Sequence, residues 1–371
     1  MKRSILLAQC VLVVACSLGI AQDANVCFPT QPPADLGIAQ NANVFFPTQP
    51  PAEYGYNHGM YVWIKTDMYP WDNPVPIMAG RNDLINACQS NPNLEINTIF
   101  YSVYHGDGSN RMYALSALRD FNKFAHARRL RVEALYSDNS EDPDNGMTRV
   151  DNYVAYQNFG CNEDSQKFDA FHLDYEPDTN KNPFASNIPE ERDRRAVALL
   201  DYYMDVRDKL DDLDIGGVLV IDIAHYWDHD QLEEITYNTG QGRLKKKLSE
   251  HVIDIADEVC VMAYQDNVAH IIERACSEVS YGAARGVPVY VSVETRPSDS
   301  PAITFDEEGE AEMLLRLGSV MGWFETENMP IAGFSIHYYG RSYNSGVVGW
   351  PIHEPEPFDP DQPPPEEDPS M

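Results

Sequence analysis

The chain has 371 residues, of which 43% are hydrophobic and 11% aromatic, and this apolar content excludes a wholly disordered protein. Lys and Arg number 27 against 58 Asp and Glu, so the formal net charge is −31. Such a charge repels phosphate backbones and anionic lipid surfaces, which argues against nucleic acid or a membrane surface as a ligand.

Residues 1–21 have the pattern of a secretory signal peptide. Lys2 and Arg3 precede an apolar run that extends to Ile20, and small residues before Gln22 fit a cleavage site. An alternative is the sequence VVAC ending at Cys16, which resembles a bacterial lipobox and would give a lipid-anchored protein. We therefore expect a secreted, extracellular or periplasmic protein, and no mature transmembrane segment is expected.

The two ends of the mature chain are predicted to lie outside any folded core. The motif LGIAQ-x-ANV-x-FPTQPPA occurs twice with an offset of 18 residues, and its composition is typical of a disordered, Pro-rich linker over residues 22–57. Residues 352–371 are rich in Pro, Asp and Glu, which is typical of a disordered acidic tail.

Cysteine usage bears on metal sites and on disulfides. Cleavage before Gln22 would leave five cysteines: Cys27, Cys88, Cys161, Cys260 and Cys276. They show no CxxC spacing, so we expect no zinc site, and nothing in the sequence implies a cofactor. Because five is odd, at least one thiol is free or pairs between chains.

Residues 58–351 alternate between short β-rich runs and helical segments with apolar residues at 3.6-residue spacing. The runs are Met60–Lys65, Thr98–His105, Arg131–Asp138, Phe168–Glu176, Gly217–Ala224, Glu258–Gln265, Pro288–Glu294 and Ile331–Tyr338. Eight strand-then-helix units predict an α/β fold, a single (β/α)₈ TIM barrel. A doubly wound open sheet is the rival, but no GxGxxG turn follows the first strand.

Active-site groups of such a barrel lie at the C-terminal ends of the strands. Polar and aromatic residues collect at these ends, and the aromatic faces are suited to pack against sugar C–H groups. We predict three catalytic residues: Glu176, Asp174 and Glu294. The predicted substrate-binding residues are His172, Asp222, Trp227, Tyr264, His337, Tyr136 and Trp63.

Side-chain alternation sharpens the prediction for the fourth strand. Phe171, Leu173 and Tyr175 would pack on the helices, whereas His172, Asp174 and Glu176 would point into the barrel. Ionisable groups in a core layer are expensive to bury without a function. We expect Asp174, as a carboxylate, to disfavour ionisation of Glu176 and to keep it a proton donor.

The segment DAFHLDYE, which ends at Glu176, resembles the DGxDxDxE signature of the chitinase-type glycoside hydrolase family 18. The resemblance implies that Glu176 is the general acid and that Asp174 assists it. Met262-Ala263-Tyr264 resembles that family's MxY element, which implies that Tyr264 contacts the substrate amide. This chain departs from the pattern at Ala170, His172 and Gln265, where the family has Gly, Asp and Asp.

A closer likeness covers most of the barrel. FHLDYEP, IDIAHYW, VMAYQDN, VSVETRP, ITFDEEGEAE and AGFSIHYY resemble a group of secreted bacterial barrels described as glycosidase-like, without an assigned substrate. A second analogy is to retaining glycosidases with an acid/base Glu after strand four and a nucleophile Glu after strand seven. Glu176 and Glu294 occupy these two strand ends, so the partner of the acid is either Glu294 or a substrate amide.

Three functions follow from these residues. The first is a secreted glycoside hydrolase acting on a polysaccharide. The second is a catalytically lapsed barrel that binds glycans or serves as an extracellular surface or matrix protein. The third is a metal-dependent hydrolase using His172, Asp174, Asp222, Glu294 and His337, but no HxH pair follows the first strand. The oligomeric state is not predicted.

Overall fold

The computed structural model describes residues 57–63, 81, 84–89, 94–104, 112, 114–138, 143–176, 189–211, 217–228, 234–239 and 242–339. The predicted signal peptide, the linker up to residue 56, residues 340–351 of the predicted barrel and the acidic tail lie outside these residues. Within the described ranges, no helix is long and apolar enough to cross a membrane.

Eight parallel strands form a closed barrel, as predicted. They are β1 (His58–Val62), β2 (Ile96–Ser102), β3 (Arg131–Asp138), β4 (Ala170–Tyr175), β5 (Leu219–Ala224), β8 (Glu258–Met262), β9 (Val289–Glu294) and β10 (Gly333–Tyr339). Each strand pairs with the next one in this order, and β10 pairs with β1. The closure excludes the open doubly wound sheet.

Helices surround the barrel. The described ones are α1 (84–89), α2 (Leu115–His126), α3 (Pro143–Ala155), α4 (Pro189–Asp211), α5 (Leu248–Ile255), α6 (Val268–Arg285) and α7 (Gly309–Thr326). The sequence analysis missed an antiparallel hairpin between β5 and α5, formed by β6 (Ile235–Asn238) and β7 (Arg243–Lys246). The eighth helix expected after β10 falls outside the described residues.

The strands separate two apolar layers. A large outer cluster lies between strands and helices and includes Phe171, Leu173 and Tyr175, as alternation along β4 predicts. A small inner cluster fills the barrel: Tyr61, Phe100, Leu135, Ala170, Val220, Cys260 and Tyr290. Buried polar residues share this interior with the inner cluster, among them Glu133, His172 and Asp222.

Closure between β10 and β1 leaves no space for a side chain at Gly333. A Cβ atom there would lie 2.1 Å from the backbone oxygen of Asn57. We expect Gly333→Ala to lower the free energy of unfolding by about 1–3 kcal/mol, because the backbone must shift to admit the methyl group. The control is Gly322→Ala in α7, where a Cβ would meet nothing within 4 Å. Equal urea-unfolding energies for the two variants would contradict this close approach.

Candidate active site

A charged triad lies in the centre of the barrel, at the level of His172. The His172 Nδ1 atom is 2.7 Å from Oε2 of Glu133 on β3, and Nε2 is 3.1 Å from Oδ1 of Asp222 on β5. The Tyr61 hydroxyl donates a further hydrogen bond of 2.5 Å to the same Asp222 oxygen. All four residues are buried, so water contributes little to solvating these charges.

The triad holds His172 as an imidazolium. Burial by itself would lower the pKa of His172, but the neighbouring Asp222 and Glu133 carboxylates outweigh burial and raise this pKa well above its usual value. With both ring nitrogens protonated, the ring donates to one carboxylate on each side. His172 therefore lies on the inward face of β4, as predicted, but its side chain binds protein carboxylates.

A second charged group lies below the triad, at the N-terminal ends of the strands. Arg131 forms ion pairs with Glu133 and with Glu258, and the Tyr290 hydroxyl donates to Glu258. Neither Glu133 nor this lower group is among the predicted site residues. Alternation along β3 could have indicated an inward Glu133, because Glu133 and Ser137 lie on the same face of that strand.

His172, Asp222 and Cys260 place ligand atoms within 4.8 Å of one another, which is the spacing that a metal ion would require. Nε2 of His172 is already in hydrogen-bond contact with Asp222, and burial raises the pKa of the Cys260 thiol to about 12. A metal ion would therefore have to replace this contact and remove the thiol proton. The metal-dependent hydrolase stays a prediction. Cys88, Cys161, Cys260 and Cys276 are all free thiols.

Asp174 lies one step above His172 on β4, 8% exposed, with its Oδ1 atom buried and without a hydrogen-bond partner. Burial raises the pKa of Asp174 to about 7, and the charge of Asp222 adds to this shift. We expected Asp174, as a carboxylate, to disfavour ionisation of Glu176. With its pKa raised to about 7, Asp174 carries this negative charge fully only above neutral pH.

Tyr264 lies among the carboxyl groups at the C-terminal end of the barrel. Burial raises the pKa of its hydroxyl well above 10, and the charges of Glu294, Asp174, Asp222 and Glu176 raise it further. Four carboxyl residues at this end of the barrel therefore act electrostatically on Tyr264. Glu176 directly follows β4 and is half-buried at this end.

The Glu294 side chain points into the barrel, as predicted from alternation along β9, and the residue is 9% exposed. Its Oε1 atom accepts hydrogen bonds from the backbone N–H groups of Thr295 and Arg296, at 2.9 and 2.7 Å. Its Oε2 atom is 2.8 Å from Nδ1 of His337 on β10. Nε2 of the same ring lies 2.7 Å from the Trp63 indole nitrogen.

Two of the predicted substrate-binding residues face away from this site. Tyr136 and Trp227 are each 1% exposed and belong to the outer cluster between strands and helices. Tyr136 stacks under the Arg149 guanidinium, and its neighbour Ser137 takes the inward position on β3. Closeness to a strand end does not distinguish the inward from the outward face, so the prediction of substrate contact for these two residues is not supported.

The fold resembles that of solved glycoside hydrolases. A Bacteroides uniformis β-glucuronidase has a TM-score of 0.51 and 11% identity, over 77% of this chain and 30% of that one. A family 18 chitinase from Pseudoalteromonas aurantia has a TM-score of 0.45 and 10% identity, over 76% and 94%. The spore cortex-lytic enzyme of Bacillus megaterium QM B1551 has a TM-score of 0.42 and 10% identity, over 76% and 70%.

The β-glucuronidase confirms the expected likeness to glycoside hydrolase barrels at the level of the fold. The chain spans less than a third of the length of the β-glucuronidase. No protein-family model and no curated protein sequence matches the chain. Substrate and reaction therefore have to be argued from the residues in the barrel.

The buried triad should make His172 important for stability. We expect His172→Gln to lower the free energy of unfolding by about 3–5 kcal/mol at neutral pH, because Glu133 and Asp222 lose the cation between them. The matched control is His270→Gln on the exposed side of α6, for which the change should stay within about 0.5 kcal/mol. Urea unfolding measures both, and a similar small loss in the two variants would contradict the buried imidazolium.

Asp174 should make stability depend on pH. Its pKa rises from 3.8 to about 7 on folding, so ionisation penalises the folded state as the pH rises through this range. We expect the wild type to lose up to about 4 kcal/mol relative to Asp174→Asn between about pH 4 and pH 7, at about 1.4 kcal/mol per pKa unit. Asp299→Asn, at an exposed position, should keep the wild-type profile. Parallel urea-unfolding profiles for wild type and Asp174→Asn would refute the raised pKa.

Proposed function

We propose that this protein is a secreted glycoside hydrolase that cleaves a polysaccharide at the C-terminal end of its barrel. The observation that carries the proposal is that buried and half-buried carboxyl residues lie at the C-terminal parts of β4, β5 and β9, where their charges also act on Tyr264: Asp174, Glu176 just after β4, Asp222 and Glu294. Glycoside hydrolysis requires a carboxylic acid beside the leaving oxygen and an anionic partner for the oxocarbenium-like transition state. The group contains a candidate for each role.

Glu176 is the general acid in this proposal. It is half-buried at the end of β4, where a glycosidic oxygen entering from the rim would reach it. Asp174 supports Glu176 in this proposal. Burial raises the pKa of Asp174 to about 7, so below that pH it carries its own proton and would place little negative charge beside the Glu176 carboxylate that forms during the reaction.

Glu294 is the anionic partner. Two backbone N–H groups and the His337 ring direct hydrogen bonds at its two oxygens, an arrangement that suits a carboxylate. Glu294 would attack the anomeric carbon in a retaining enzyme, or activate water in an inverting one. NMR analysis of the anomeric configuration of the first product distinguishes these two roles.

The aromatic residues at the rim support a carbohydrate ligand. Trp63 and Tyr338 pack against the inner cluster from above and are partly exposed. Tyr264 stacks on His337, with ring centroids 5.8 Å apart. These rings form an apolar wall beside the carboxyl groups, and such a surface suits a sugar with one C–H face and several hydroxyl groups.

The alternative is a lapsed barrel that binds glycans without cleaving them. The specific observation in its favour concerns His172, which stands at a family-18 Asp position. Both of its ring nitrogens form hydrogen bonds to protein carboxylates, those of Glu133 and Asp222. In affinity electrophoresis, a polysaccharide in the gel that binds the protein slows its migration. If the wild type binds such polysaccharides but does not cleave them, the result supports this alternative over the hydrolase.

Turnover should depend on the proton of Glu176. Glu176→Gln keeps the shape of the side chain but removes its acidic proton, so we expect the rate of polysaccharide cleavage to fall by about 10²–10⁴-fold. A panel of neutral, acidic and N-acetylated polysaccharides, with reducing ends measured over time, provides the assay.

Two comparisons make this test specific. Glu327→Gln, at the exposed C-terminal end of α7, is the matched control and should retain wild-type rates. The thermal unfolding of Glu176→Gln should stay close to that of the wild type. Wild-type cleavage by Glu176→Gln would remove this residue from the mechanism.

A further inference from the structure

The Trp63, His337 and Glu294 side chains form a chain of hydrogen bonds whose direction is fixed at one end. An indole N–H donates and cannot accept. The Trp63 Nε1 atom lies 2.7 Å from Nε2 of His337, so Nε2 must offer its lone pair. The proton of the neutral ring is then on Nδ1.

This tautomer determines what His337 does to Glu294. Nδ1–H donates to Oε2 of Glu294 across 2.8 Å, so this oxygen is an acceptor. Oε1 accepts from the backbone N–H groups of Thr295 and Arg296. Donors on both oxygens fix the plane of the carboxylate as well as its position.

Aromatic rings surround the imidazole. Ring centroids of Tyr61, Trp63, Tyr264 and Tyr338 lie 5.4, 5.8, 5.8 and 5.0 Å from that of His337. The His337 side chain is 17% exposed, and among the described residues Glu294 is the carboxylate in hydrogen-bond contact with the ring.

We propose that Trp63 is a positioning residue, which selects the Nδ1–H tautomer of His337 and through it fixes the orientation of the Glu294 carboxylate. The sequence analysis assigned both Trp63 and His337 to substrate binding. In the structure, their nitrogen atoms form hydrogen bonds within the protein instead, from Trp63 to His337 and from His337 to the Glu294 carboxylate. The consequence for catalysis rests on the proposed function, but the selection of the tautomer does not.

The tautomer can be measured without a substrate. In protein with ¹⁵N-labelled histidine, long-range ¹H–¹⁵N spectra distinguish protonated from unprotonated ring nitrogens, and His337→Asn identifies the His337 signals by their loss. We expect an unprotonated Nε2 in the wild type. In Trp63→Phe, which keeps an aromatic ring but lacks the donor, Nε2 should become partly protonated.

Trp323→Phe is the matched control, because Trp323 lies on α7 against the outer cluster. Its His337 signals should match those of the wild type. A wild-type Nε2 that carries the proton would overturn the proposal. So would a Trp63→Phe variant that is folded and keeps the wild-type tautomer.

The effect on turnover is tested by a double-mutant cycle on whichever polysaccharide the wild type cleaves. We expect Trp63→Phe to lower kcat/KM by about tenfold, the change that one buried hydrogen bond of about 1.4 kcal/mol would produce. In a His337→Asn background, where the amide can donate to Glu294 whether or not Trp63 is present, Trp63→Phe should cost less than about threefold. Equal losses in both backgrounds would overturn the positioning role. If the wild type cleaves no polysaccharide, the result counts against the proposed function. The NMR measurement of the His337 tautomer then still tests whether Trp63 selects that tautomer.

Discussion

The positive charge of His172 balances the carboxylates buried in the centre of the barrel. Its ring joins three adjacent strands, because Glu133, His172 and Asp222 lie on β3, β4 and β5. Several kcal/mol of desolvation would be left uncompensated if either carboxylate lost this partner. The same arrangement reaches the rim: burial raises the pKa of Asp174, the charge of Asp222 raises it further, and the charge of His172 opposes both. Packing in the core and proton affinity at the candidate site therefore depend on one imidazolium.

Much of the fold could be predicted from the sequence because two periodicities are strong in it. The spacing of strand-then-helix units gave the eightfold barrel, and alternation along β4 separated Phe171 and Leu173 from His172 and Asp174. The β6–β7 hairpin was missed because its strands have four residues each and lie inside what reads as a strand-to-helix connection. Short elements held by a neighbouring helix carry little periodicity of their own.

The candidate site was less predictable, because its contacts join residues far apart in the chain. Glu294 and His337 are 43 residues apart, and Trp63 and His337 are 274 apart, yet hydrogen bonds join both pairs. Local patterns place each side chain on a face but do not pair it across the barrel. The pKa of Asp174 is a further example, since it depends on burial and on Asp222, neither of which can be read from the residues around Asp174.

The departure at His172 from the family-18 pattern has a local compensation. A protonated histidine in place of an acid adds a positive charge to the barrel interior. Glu133 on the neighbouring strand β3 supplies a negative charge, with its Oε2 atom 2.7 Å from Nδ1 of His172. The replacement of Asp by His at position 172 lies in the barrel interior, below the rim. At the rim, Asp174, Glu176 and Tyr264 have the residue types that the resemblance assigns to proton donation and substrate contact. Burying Asp174 with its Oδ1 atom outside the protein's own hydrogen bonds costs folding free energy. Under the proposed function this cost has a use, because the raised proton affinity of Asp174 then lies two residues from the proposed general acid.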